Sequence, residues 1–147
     1  MTLPNSDEPS GEIEIRRYGV VAVIHREDER MLTIRRSQFV AAPGKLCFPG
    51  GGLEEGEDEP TALKRELREE LRLKIISGEY LWRTVTPWGV DLAFWSAKII
   101  AGQEINPNPQ EVESVLWLNL NEMAARADVL ESNREFLQVL RESRLGE

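Results

Sequence analysis

Glu66, Glu69 and Glu70 crowd one end of the stretch GGLEEGEDEPTALKRELREELRL, residues 51–73. At about 100° per residue these three glutamates share roughly a 100° arc of a helix, and Leu63, Leu67 and Leu71 form the neighbouring stripe. Such a helix buries a leucine seam and gathers carboxylates beside it. Like charges so placed are unfavourable unless a cation sits among them, and carboxylate oxygens are the ligands that Mg2+ and Mn2+ prefer. These ions commonly serve phosphate chemistry. The plainer alternative is a solvated helix laced by Glu–Arg pairs one turn apart. Here Lys64, Arg65, Arg68 and Arg72 take the remaining face, while the glutamates cluster by the apolar seam.

The flanking residues position this helix. Gly50, Gly51 and Gly52 let the backbone turn tightly and approach a ligand. Asp58 suits the N-cap, Glu59 the positive end of the dipole, and Pro60 the first turn, where its missing N–H costs nothing.

In these residues the chain resembles the Nudix hydrolases, whose pattern is G-x5-E-x7-R-E-U-x-E-E-x-G-U with U aliphatic. Gly51, Glu57, Arg65, Glu66, Leu67, Glu69, Glu70 and Leu73 fill it, and Arg72 stands where the pattern has glycine. A departure there touches the helix end, where glycine commonly caps. The resemblance implies an α/β/α sandwich, a mixed sheet between helices, over about residues 15 to 145. It further implies a divalent ion, Mg2+ or alternatively Mn2+, held by the Gly50 carbonyl and by Glu66, Glu69 and Glu70. Glu66 and Glu70 are then the primary ligands, Glu69 shares ligand and base duty, and Glu57 and Arg65 pair to tie loop to helix around Gly51.

A further ligand or base carboxylate is implied before a tryptophan-bearing strand. Glu111 stands there ahead of Trp117, with Glu113 its competitor, since strand alternation puts both on one side. Arg35 and Arg36 match a paired arginine of similar enzymes, and arginine grips phosphate with two parallel donors. Asn133 matches a base-reading asparagine, though a capping box at Ser132-Asn133-Arg134-Glu135 accounts for it without a ligand. Trp82, Trp88, Trp95, Trp117 and Tyr18 suit either core packing or stacking on a base, Trp88 being the least core-like. His25 reads as a strand-end residue and Cys47 as packing.

The chain has 147 residues, 41% of them hydrophobic, enough for one compact domain with a real core. A flexible tail is expected over residues 1–13 and one domain over 14–147. A net charge of −8 argues against binding a nucleic-acid polymer. A small nucleotide is compatible with it, because a metal and a few arginines reverse the local sign. Cys47 is the one cysteine, which excludes an intrachain disulfide and suits a reducing compartment. No apolar run reaches the roughly 20 residues of a membrane span. With no signal-like start, a cytoplasmic location is expected, and kinship adds the expectation of a homodimer.

Strands are expected over residues 16–25, 31–34, 45–48, 73–76, 80–86, 90–100 and 112–118, with the 80–86 and 90–100 pair forming a hairpin about Pro87-Trp88-Gly89. Helices are expected after Asp58, near 121–127, and from Ser132 onward. The activity implied by the resemblance is hydrolysis of the diphosphate linkage in a nucleoside diphosphate joined to another group. A nucleoside triphosphate, an oxidised purine included, leads the expectations. ADP-ribose or a sugar nucleotide is the alternative substrate. A non-catalytic nucleotide-binding module and a purely structural domain are the alternatives of other classes.

Overall fold

The computed structural model describes residues 13–145. The expected tail, apart from Ile13, lies outside the described residues. Ten elements follow in order: β1 Arg17–Val23, β2 Met31–Arg36, β3 Leu46–Cys47, β4 Gly50–Gly52, α1 Glu59–Leu71, β5 Ile75–Val85, β6 Val90–Ile99, β7 Val112–Leu118, α2 Leu120–Ala124 and α3 Glu131–Leu145. Strands β4-β1-β6-β5 form a mixed sheet in which β1 and β6 run parallel. Strands β3-β2-β7 form an antiparallel one. Leu32 N–H donates to the Ile24 carbonyl at 2.9 Å, and His25 bridges to Met31, so the two sheets meet where β1 ends.

Alternation along β1 explains the layering. Val20 and Ala22 pack with Leu63, Leu67 and Leu71 of α1, whereas Val21 and Val23 pack with Phe136 and Leu137 of α3. A strand buried on both faces needs the near-continuous apolar run that VVAVI supplies. The result is α1 on one side, sheet in the middle, and α2 with α3 on the other, the mixed-sheet sandwich expected. Its second core is aromatic, with Phe94 and Phe136 stacked at 4.6 Å between ring centres.

Three local expectations change. The strands foreseen over 73–76 and 80–86 are one, β5, because Gly78 lets the backbone pass where a Cβ would overlap the Ser96 hydroxyl. Glu79 N–H then donates to that hydroxyl at 2.8 Å, and the ladder resumes beyond the irregularity. The short second helix runs 120–124, not 121–127, and it carries the capping box: Asn119 accepts from Glu122 N–H and Glu122 accepts from Asn119 N–H. No capping box forms at Ser132, since α3 begins at Glu131 and draws Ser132 and Asn133 into its first turn. Asn133 turns its side chain to β3's exit instead.

Helix α1 starts as expected, with Asp58 Oδ1 accepting from Thr61 N–H at 2.8 Å. It ends at Arg72, whose φ of 53° and ψ of 38° lie in the left-handed region. Only glycine enters that region freely; other L-residues pay roughly 1–2 kcal/mol there, partly offset by glycine's greater chain entropy when unfolded. Arg72→Gly is therefore expected to stabilise the protein by about 0.5–1 kcal/mol, raising Tm by a few degrees in thermal denaturation. A lowered Tm would show that the arginine side chain has a structural partner worth more than the backbone strain.

Candidate functional site

The leucine seam of α1, pressed into the sheet, leaves Glu66 and Glu70 facing the glycine strand β4. Glu70 Oε1 accepts from Gly50 N–H at 2.8 Å, and Glu70 is only 6% exposed. A Cβ on Gly51 would overlap the Glu66 carboxylate, and one on Gly50 would overlap the Val20 carbonyl oxygen of the paired strand. Gly51 is thus the space into which the Glu66 carboxylate fits, and Gly50 meets Glu70 through its N–H.

Burial pushes the Glu70 carboxyl well above the ordinary carboxylate range, and the charges of Glu66 and Glu111 push further; Gly50 N–H and Arg36 oppose them. Burial likewise raises Glu66, against the pull of Arg65. Glu111 therefore acts on both. It sits in the loop before β7, held at 3.3 Å by Asn108 Nδ2, while Asn108 N–H binds the Glu70 carbonyl at 2.8 Å.

The expected common side for Glu111 and Glu113 is not observed. The β2–β7 register slips between Arg35 and Arg36, which pair with Ser114 and Val112, so Glu113 is the unmatched residue and leans to Arg35 at 3.7 Å.

Arg65 ties loop to helix. Its guanidinium donates to both oxygens of Glu57 at 2.8 Å, to the Gly52 carbonyl at 2.7 Å, to Glu66 at 2.9 Å and to Glu69 at 3.2 Å. Glu57 also accepts from Glu54 N–H, and the Arg65 bond above all holds its carboxyl down at about 2. One cation thus spans the loop and two of the clustered glutamates.

Among the described residues, no three His, Cys, Asp or Glu side chains already stand gathered as a metal cage. Glu69 is turned to Arg65 and Glu111 to Asn108. The donor chemistry nevertheless fits a hard divalent cation. Glu66 Oε2 has no hydrogen-bond donor among the described residues, Glu70 has the single Gly50 N–H, and both are destabilised as anions.

Against the same glycine strand opens a cavity of about 470 Å3, lined by Gly50 to Gly52, Arg36, Phe48, Ser132 and Asn133, with Tyr18 and Trp88 also on its wall. Tyr18 is 53% and Trp88 54% exposed, so their rings are not core. Trp82 is core, Trp95 donates to Glu59 at 2.9 Å, and Arg26 lies 4.8 Å over the Trp117 ring. Ser132, which lines the cavity, carries no sequence signal that separates it from any helix-start serine.

The two arginines divide. Arg36 lines the cavity, donates to the Ala41 carbonyl at 2.6 Å and bears on Glu70. Arg35, expected beside it as a phosphate contact, points away because neighbours on a strand alternate. It binds the Gly44 carbonyl at 2.8 Å and Asp128 at 3.2 Å. Cys47 is buried, its thiol pushed up to about 12 by burial, in keeping with packing. His25 is an exposed strand-end residue.

Sandwich, glycine strand and acidic helix together define a Nudix-type domain. The family model described as NUDIX domain matches residues 15–140, and the chain belongs to that family. It is 28% identical over 127 residues to the NAD-capped RNA hydrolase NudC of Stutzerimonas stutzeri, covering 86% of this chain and 45% of that protein. It is 29% identical over 143 residues to the human m7GpppN-mRNA hydrolase NUDT17, covering 81% and 44%. The chain thus spans less than half the length of these relatives. A MutT protein from Methanosarcina mazei superposes with a TM-score of 0.75 at 20% identity, covering 92% of this chain and 99% of its own, and shares the fold.

Proposed function

We propose that this chain hydrolyses the diphosphate linkage of a nucleoside diphosphate joined to another group, with Mg2+ or Mn2+ as cofactor and a nucleoside triphosphate as the leading substrate. The observation that carries the reading is the pair of buried carboxylates, Glu66 and Glu70, packed against a glycine strand that also lines a nucleotide-sized cavity. Glu66, Glu70 and the Gly50 carbonyl would hold the ion, with Glu69 and Glu111 able to join by rotation. Bound there, the ion would neutralise the diphosphate and acidify a water. Glu69 or Glu111 would accept the proton of the attacking water, work that typically contributes about 10²–10⁴-fold. Arg36 would grip a phosphate from the cavity wall.

A second reading has a specific motive. Both relatives above are named for capped RNA, so a dinucleotide-type diphosphate, or a cap on RNA, belongs in the same substrate trial as ADP-ribose and sugar nucleotides. That trial is a panel of such compounds with Mg2+ in ¹⁸O-labelled water. Release of a labelled phosphate-bearing product supports the reading and locates the attacked phosphorus; no hydrolysis of any member refutes it. We also infer a homodimer and a cytoplasmic setting. Among the described residues no helix is long and apolar enough to cross a membrane.

The arginine division yields a prediction. Arg36→Ala is expected to lower kcat/KM by about tenfold or more with little change in Tm. Arg35→Ala is expected to lower Tm by a few degrees, through loss of its partly buried bonds, and to leave kcat/KM within about threefold. Steady-state kinetics beside thermal melts checks both, and the reverse pattern would exchange their roles.

A further inference from the structure

Residues 106–109 read Asn-Pro-Asn-Pro, and since proline has no N–H, only Asn106 and Asn108 of the four can donate from the backbone. Both give their N–H to the end of α1, Asn106 to the Leu71 carbonyl at 3.0 Å and Asn108 to the Glu70 carbonyl at 2.8 Å, groups that a helix end leaves without an intrahelical partner. The loop that carries Glu111 is thereby docked on the turn that carries Glu70. Its far side is fastened behind Arg36, where Ser37, 3% exposed, gives its N–H to the Glu111 carbonyl at 3.1 Å and its hydroxyl to the Gln110 carbonyl at 2.7 Å. With the backbone held at both edges, the side chain of Asn108 sets that of Glu111. Asn108 Oδ1 accepts from Gln110 N–H at 3.1 Å, and because a backbone N–H only donates, it is the amide nitrogen that meets Glu111 Oε2, at 3.3 Å. Glu111 Oε1 accepts no hydrogen bond from the described residues.

We propose that Asn108 is a positioning residue: it holds the Glu111 carboxylate by Oε2 beside the Glu70 turn, so that Oε1 completes the ligand set of a divalent ion bound by Glu66 and Glu70. The charge of Glu111 bears on both of those glutamates, so the three lie near one another. A carboxylate free to swing gives up rotamer entropy on joining an ion, and one already tied by a hydrogen bond has less to lose. Partners of this kind, bonded to a ligand and not to the metal, typically cost about 10–100-fold in metal affinity or activity when removed. This role deepens the hydrolase reading and rests on its ion site. It also gives the Asn-Pro-Asn-Pro stretch a purpose beyond turning the chain.

Asn108→Ser isolates the point, because its hydroxyl oxygen can still accept from Gln110 N–H while ending too short to reach Glu111. Mn2+ titration without substrate, followed by electron paramagnetic resonance, is expected to show Kd raised by about tenfold at nearly unchanged Tm. With GTP, ADP-ribose and NAD as substrates, kcat should fall by about tenfold and KM stay within about threefold. Both effects should vanish in a Glu111→Ala background, since a residue that acts through Glu111 has nothing to place there. Unchanged Mn2+ affinity in Asn108→Ser, or the same loss with Glu111 already removed, overturns the proposal. So does unchanged Mn2+ affinity in Glu111→Ala, which leaves the loop's backbone bonds in place and decides even if the Asn108 variant does not fold. If Mn2+ binding follows the expected pattern and none of the three compounds is hydrolysed, the hydrolase reading alone fails. If they are hydrolysed and Mn2+ affinity ignores Asn108, the positioning role alone fails.

Discussion

Glu70→Gln is expected to lower kcat by at least about 10³-fold while raising the melting temperature of the metal-free protein at neutral pH. The loss follows from removing a charged oxygen ligand without changing volume, and a thousandfold corresponds to roughly 4 kcal/mol of barrier. The gain follows from burial. A carboxyl whose folded pKa lies above its unfolded value leaves the folded state holding the extra proton between the two. Stability is then fully present below the unfolded value, about 4.3, and is lost as pH rises through the raised folded one. The amide removes that titration and still accepts from Gly50 N–H. In metal-free melts from pH 4 to 8, the stability of the variant relative to the unaltered protein should therefore increase with pH. A variant that keeps most of its turnover would remove Glu70 from the ligand set.

Gly51→Ala is expected to cost activity by about 10²-fold or more at modest loss of stability. The added methyl occupies the place of the Glu66 carboxylate, a side-chain end that can shift, with Arg65 already holding one of its oxygens. Gly50→Ala meets backbone instead, the Val20 carbonyl oxygen on a paired strand, and should destabilise the fold itself. Comparing the two by circular dichroism and kinetics separates a site defect from a folding defect. Equal damage to stability in both would show that Gly51 serves the strand and not the carboxylate.

Much of this was legible in residue order. The 3.6-residue spacing of Leu63, Leu67 and Leu71 sets which face of α1 is buried, and with it where Glu66 and Glu70 look. Asp58 and Pro60 mark the helix start, and β7 runs over the residues expected. The failures share a cause, which is that tertiary partners decide among locally equal choices. Ser132-Asn133-Arg134-Glu135 has the letters of a capping box, but Phe48 N–H needs an acceptor and Asn133 supplies it. Arg35 and Arg36 are alike in sequence, and only the strand's alternation, with Asp128 and Gly44 waiting on one side, separates them. Glu111 and Glu113 are distinguished by a slipped register that depends on how β2 meets β7.

The central claim is that buried glutamates on α1 hold a divalent ion, and Mn2+ titration by calorimetry and electron paramagnetic resonance tests it without any substrate. Because burial raises the Glu66 and Glu70 carboxyls above the ordinary carboxylate range, Mn2+ binding should release protons, tighten as pH rises, and be abolished by Glu66→Gln combined with Glu70→Gln. Mn2+ affinity unchanged in that double variant, or no binding at millimolar metal, would contradict the account.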